Sequence, residues 1–162
     1  MSCTQQHELY AAERRVWSKG REFADPAEIQ RFVDGLRDTW WWRMWYPKIR
    51  RVEAYSRPVN SRGSVGSWHP ELGAGKIEMM RVHWNELVVL HELAHVLAAA
   101  RYGSTSHDPA FARVYLELVA LVMGPEAYTE LYEAFGRDGI EHDADDYGER
   151  LTDARRMPRE GT

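Results

Sequence analysis

Cysteine is almost missing from this 162-residue chain; Cys3 is the only one. That excludes an intramolecular disulfide framework and any zinc ribbon built on cysteine pairs. Charge of one sign is not in excess either. Twenty-one Lys and Arg against 25 Asp and Glu leave a net charge of −4, so bulk charge makes no case for nucleic-acid binding. No apolar run approaches the ~20 residues of a membrane span, and no membrane partner is expected. Met1 to Arg15 holds no apolar signal-peptide core, which makes the cytoplasm the expected compartment. Internal repeats and Pro-rich or Gly/Ser-rich linkers are lacking as well.

What is present is a globular composition, 44% hydrophobic and 12% aromatic. The length fits one domain of roughly 100–150 residues plus a tail. Residues 1–138 are assigned to the domain and 139–162 to a polar, flexible tail. Seven histidines are the unusual feature.

Periodicity predicts a first helix over Thr4 to Lys19, stopped at Gly20, and a second opened by Asp25-Pro26 and carried by Ile29, Phe32, Val33, Leu36 and Trp40. Strands are expected over Ile49 to Tyr55, Val65 to His69 and Lys76 to Met80. Asn85 then caps a helix running to Arg101 or Tyr102, apolar nearly all round and so central and buried. Asp108-Pro109 opens another helix. Pro125 opens the last, with Gly136 as its stop.

The central helix carries His91-Glu92-Leu93-Ala94-His95. Two imidazoles four residues apart share one helix face and can reach one metal ion, while Glu92 can contact a metal-bound water. Chance matches to this pattern number roughly 0.03 per chain of this length. Buried polar groups also need partners, since each unpaired one costs about 1–3 kcal/mol, and a metal supplies one. A catalytic zinc takes three protein ligands and leaves a position for water. His107 is the best third ligand, in a short loop between Gly103 and the helix start at Asp108-Pro109. Glu117 is the rival, but its phase puts it with Ala110 and Arg113, as an exposed pair with Arg113. Asp108 is a helix cap or a carboxylate behind the ligands. One Zn2+ per chain is expected, favoured over other metals by three imidazoles.

These residues are similar to a known family. His91-Glu92-Leu93-Ala94-His95 followed by His107-Asp108-Pro109-Ala110-Phe111 resembles the SprT-like minimal zincins, whose third His sits in a His-Gly-x-x-Phe context. The similarity is closer still to small uncharacterised actinobacterial and phage metallohydrolases. In those a Tyr-Ala-Ala-Glu-Arg-like start, here Tyr10 to Arg14, precedes a leucine-rich motif helix. The resemblance covers most of residues 8–136, with Asp108 standing where the family has Gly. It implies His91, His95 and His107 as zinc ligands and Glu92 as catalytic acid/base. It also implies an α+β zincin-like domain, with a small sheet of about three strands on the metal-binding helix, flanked by N- and C-terminal helices. The strand at 76–80 would offer its edge to an extended peptide. The cysteine-built ribbon of DNA-linked relatives cannot form here, so that activity is not carried over.

The expected function is therefore a zinc metallopeptidase acting on a peptide or protein, with Tyr102, Tyr115 and Arg113 as candidate oxyanion donors. The alternative is a non-catalytic zinc-stabilised interaction module using the aromatic cluster Trp40, Trp41, Trp42, Trp45 and Tyr46. Burial of that cluster as a core segment is expected, because Trp is highly buried on average. Arg50, Arg51, Arg57 and Arg62 read as a solvated face. His69 and His83 have no spacing that links them to the metal, and His142 with Asp143 is set aside as adventitious.

Overall fold

The computed structural model describes residues 5–142. Among them the chain is α+β. Helices α1 (Gln6–Val16), α2 (Pro26–Arg37) and α3 (Trp40–Trp45) precede strands β1 (Arg51–Arg57), β2 (Val65–His69) and β3 (Ala74–Met80). Helices α4 (Glu86–Tyr102), α5 (Pro109–Val122) and α6 (Pro125–Asp138) follow. None is long and apolar enough to cross a membrane.

Local signals set most boundaries. Asp25, Thr39, Asn85 and Asp108 each accept a backbone N–H of the helix they cap, and Pro26 and Pro109 occupy first-turn positions. α1 is shorter than expected, because its last turn tightens into a 3-10 turn over Trp17–Lys19. α6 runs through Gly136 and stops at Gly139, which adopts the left-handed conformation at φ 68°. Gly136 is an ordinary helical residue, and a glycine ends a helix when the chain turns left-handed there. Ile140 is buried beyond that stop, and the Glu141 N–H is held by the Gln5 side chain. The remainder of the expected tail, 143–162 with Asp143, lies outside the described residues.

The sheet is mixed, in the order β1-β3-β2, with β3 parallel to β1 and antiparallel to β2. β3 is thus internal and has no free edge, contrary to the expectation for 76–80; the edge strand next to α4 is β2. Position in the chain says nothing about position in a sheet. One sheet face carries Val52, Ala54, Gly75, Ile77, Met79, Gly66 and Trp68 and packs under helices. The other is solvated, with Lys76 on Glu78 and Arg51 on Glu53.

α4 is the centre of the core. It lies on β2 and β3 on one side and against α5 on another, so nearly every position from Leu87 to Ala98 is buried. Two glycines permit the approach to the sheet. A Cβ at Gly66 would collide with the Glu92 carbonyl oxygen, and one at Gly75 with Val96. The aromatic segment forms the one-and-a-half-turn α3. Trp41, Trp42 and Tyr46 are buried, while Trp40 and Trp45 are half-buried, which matches the core reading.

Candidate metal centre

Each ligand candidate is positioned by a separate local device. His91 and His95 stand one turn apart on α4. At the end of α4, Gly103 turns left-handed at φ 68°, and the N–H groups of Gly103 and Ser104 bond back to the carbonyls of Ala99 and Ala98. This Schellman-type cap reverses the chain. Asp108 then starts α5 by accepting the Phe111 N–H at 2.9 Å. Between these two fixed points sits His107, whose imidazole returns to α4.

The three Nε2 atoms converge. His107 Nε2 lies 2.9 Å from His91 Nε2 and 3.1 Å from His95 Nε2. Tetrahedral zinc with Zn–N bonds of about 2.0–2.1 Å sets its nitrogens roughly 3.3 Å apart, so the cluster is already near that spacing. The donor chemistry fits too. His91 Nδ1 is 2.5 Å from Glu13 Oε1, which places the Nδ1 proton toward the carboxylate and turns the Nε2 lone pair to the cluster. Three converging imidazole nitrogens cannot satisfy one another as donors and acceptors, whereas a cation satisfies all three. The Phe111 ring packs against all three imidazoles, at centroid distances of 4.3–5.0 Å, and forms their apolar floor.

Electrostatics divides the three. Burial, reinforced by charge on His91 and His107, pushes His95 down to about 2. Burial and His91 push His107 down to about 4. Both are therefore neutral near pH 7, the form that binds a metal. Burial also pulls His91 down, but the charge and hydrogen bond of Glu13 outweigh it and the net shift is upward. Burial and the charge of Glu13 raise Glu92, against the lowering effects of His91, the Gly66 N–H and Arg57. A raised carboxyl is the direction that favours a general acid/base.

Glu13 is the main residue that sequence reasoning missed. It is buried, and its Oε1 also accepts the Tyr115 hydroxyl at 2.7 Å. Tyr115 reaches the Leu87 carbonyl at 3.2 Å as well. One carboxylate thus ties α1, α4 and α5 together behind His91. Tyr10 was also missed; its ring stacks on His91 at 5.6 Å and 18°. The signal lay in Tyr10-Ala11-Ala12-Glu13-Arg14. Its 10, 13, 14 spacing puts Tyr10, Glu13 and Arg14 on one helical face, beside the apolar stripe Leu9, Ala12 and Val16.

The cluster lies in a cleft of about 670 Å3, walled by α1 on one side and by 62–66 with β2 on the other. Glu92, Tyr10 and His83 line it. His83 was given no link to the metal by spacing, yet the 3-10 turn after β3 brings it to the cleft, with Nδ1 3.0 Å from Ser64 Oγ. The three expected oxyanion donors are elsewhere. Tyr115 is fully buried with its hydroxyl engaged on Glu13, whereas Tyr102 and Arg113 stack on each other at 5.8 Å and do not line the cleft.

Glu117 corrects an expectation. It is wholly buried, not exposed, and accepts the Trp41 indole N–H at 3.0 Å; the charge of Arg113 still acts on it, and it is not part of the histidine cluster. The apolar stripe on α5 defined only one buried face; α3 packs on the other side and buries that too. Arg57 donates to the Gly63 carbonyl at 2.6 Å, and His69 sits beside Ser67 and Glu71 on the solvated sheet face. No family model, curated protein or solved structure matches this chain.

Proposed function

We propose that the chain is a zinc-dependent metallopeptidase of the zincin-like kind. The observation that carries this is the convergence of His91, His95 and His107 in a cleft with Glu92 beside them. Among the described residues no fourth ligand joins the three, which leaves a position for water. Zinc held there would polarise a scissile carbonyl and lower the pKa of a water. Glu92 is the residue that would take the attacking water's proton and return it to the leaving amine. The Gly66 N–H holds the Glu92 carboxylate in place. Glu13 fixes the His91 tautomer, and Tyr10 and His83, which line the same cleft, are the candidate oxyanion donors. The outer edge of β2 borders the cleft, so an extended peptide can lie along it.

The interaction-module alternative relied on an exposed aromatic surface, and burial of Trp41, Trp42 and Tyr46 takes most of it away. Metal analysis should find about one zinc per chain, bound with three protein ligands and water. Glu92→Gln should retain zinc and stability and lose at least about 100-fold in peptide hydrolysis. A chain without zinc, a zinc held by four protein ligands, or full activity in Glu92→Gln would each defeat the proposal.

A further inference from the structure

Resting on that reading of the site, we propose its substrate class: peptides that carry a carboxylate close to the scissile bond, held by Arg14 and Arg62. The two arginines line the cleft from different parts of the chain, Arg14 on α1 and Arg62 in the turn between β1 and β2. Neither has a carboxylate partner among the described residues. Several other cations are paired; Arg15, Lys19, Arg21, Arg37, Arg51 and Lys76 each have a carboxylate at 3.1–3.3 Å. Among the described residues, the acidic ones lining the cleft are Glu13 and Glu92, and both are engaged, on His91 and the Gly66 N–H. The mouth is therefore a locally cationic spot on a protein of net charge −4.

Both arginines stand on fixed supports. The residue before Arg14 is Glu13, which locks α1 to His91 and Tyr115. The residues after Arg62 are pinned to the sheet, Gly63 by Arg57 at 2.6 Å and Ser64 by the Met80 N–H at 3.0 Å. A substrate carboxylate entering the cleft would find guanidinium groups carried on backbone that needs no rearrangement, which lowers the ordering cost of binding. Arginine suits the task because its planar fork pairs with both carboxylate oxygens. Trp17, Val65 and Val88 add apolar surface to the lining, against which side chains of a peptide can pack.

The test compares zinc-loaded wild type, Arg14→Gln, Arg62→Gln, the double variant and Arg31→Gln, an exposed arginine of α2 that does not line the cleft. Zinc content and circular dichroism confirm that each is loaded and folded. Substrates are a quenched-fluorescent peptide library with matched Glu and Gln members, each with a free or an amidated C-terminus. The Glu/Gln arm reads a side-chain carboxylate and the acid/amide arm a terminal one. Wild type should cleave the carboxylate-bearing member of at least one pair about tenfold better in kcat/KM, with the preference falling as salt is raised. The double variant should fall to within about twofold of parity, while Arg31→Gln keeps the preference. The same peptides are titrated onto zinc-loaded Glu92→Gln with and without the two arginines. Carboxylate-selective binding that needs Arg14 and Arg62, with no cleavage in wild type, would defeat the peptidase reading and leave the anion site standing. Cleavage without carboxylate preference, or a preference unchanged in the double variant, overturns the anion site and leaves the peptidase reading standing. Tighter binding of a single-stranded oligonucleotide than of any acidic peptide overturns it in favour of phosphate.

Discussion

Glu13 offers the sharpest test of the centre, because it can be altered without touching a ligand. Its carboxylate contacts His91 Nδ1 at 2.5 Å and the Tyr115 hydroxyl at 2.7 Å, with 2% of the His91 side chain and 5% of its own exposed. Glu13→Gln retains an acceptor oxygen for both donors and removes only the negative charge behind His91. Carboxylates in this position are worth about 10–100-fold in metal affinity. The isosteric change belongs at the lower end, about tenfold, or roughly 1.4 kcal/mol. Glu13→Ala also strands the Nδ1 proton in a buried site, while Tyr115 keeps the Leu87 carbonyl at 3.2 Å. A stranded buried donor adds about 1–3 kcal/mol. Zinc affinity should then fall about 100-fold, and the metal-free protein should melt roughly 2–10 °C lower. The assay is competition for zinc against a chromophoric chelator at pH 8, where protons compete least for His91, with thermal unfolding of the metal-free protein alongside. If both variants fold and bind zinc within twofold of wild type, the carboxylate does not support the ligand and the geometry described here has no energetic meaning.

Two other outcomes follow from buried groups near the centre. Gly66→Ala places a methyl group against the Glu92 carbonyl oxygen, so β2 must move away from α4. It should cost about 1–3 kcal/mol in chemical denaturation and reduce hydrolysis by loosening the Gly66 support of Glu92; an unchanged midpoint would contradict the close packing of strand and helix. The Glu117 carboxyl is pushed up by burial, against the Trp41 N–H, Arg101 and Arg113, which pull it down. A carboxyl raised in the folded state contributes fully below its unfolded pKa, and that contribution is lost as pH rises through the folded value. Glu117→Gln should therefore gain on wild type as pH rises from about 4.5, near the unfolded value, toward neutrality. Denaturation curves across that range check this, and a difference that stays flat or runs the other way refutes it.

Much of the local structure was legible in the chain because it rests on short-range effects. Asp25-Pro26, Asn85 and Asp108-Pro109 are capping chemistry and work wherever they occur. Apart from the three motif residues, 87–97 is apolar all round and required a helix covered on every side, which α4 is. His91 and His95 share a face by the helical repeat alone. Gly103 and Asp108 bracket His107 within a few residues, which makes it a third partner legible in the chain itself. The places where local reasoning failed share one property. The order β1-β3-β2, the burial of Glu117 under α3 and the arrival of His83 at the cleft all depend on which surfaces meet.

Glu13 shows the division most clearly. Read along the chain, it is one polar residue on an amphipathic helix, 78 positions from His91. Helical spacing places it beside Tyr10 and Arg14, and nothing in that spacing distinguishes a solvated face from the wall of a site. Only the packing of α1 against the rest of the fold carries that stripe to the histidines. A motif confined to one helix is encoded by the backbone repeat. Its supporting carboxylate, the opposite wall and the two arginines above them come from segments far apart in sequence, which meet only when the core closes.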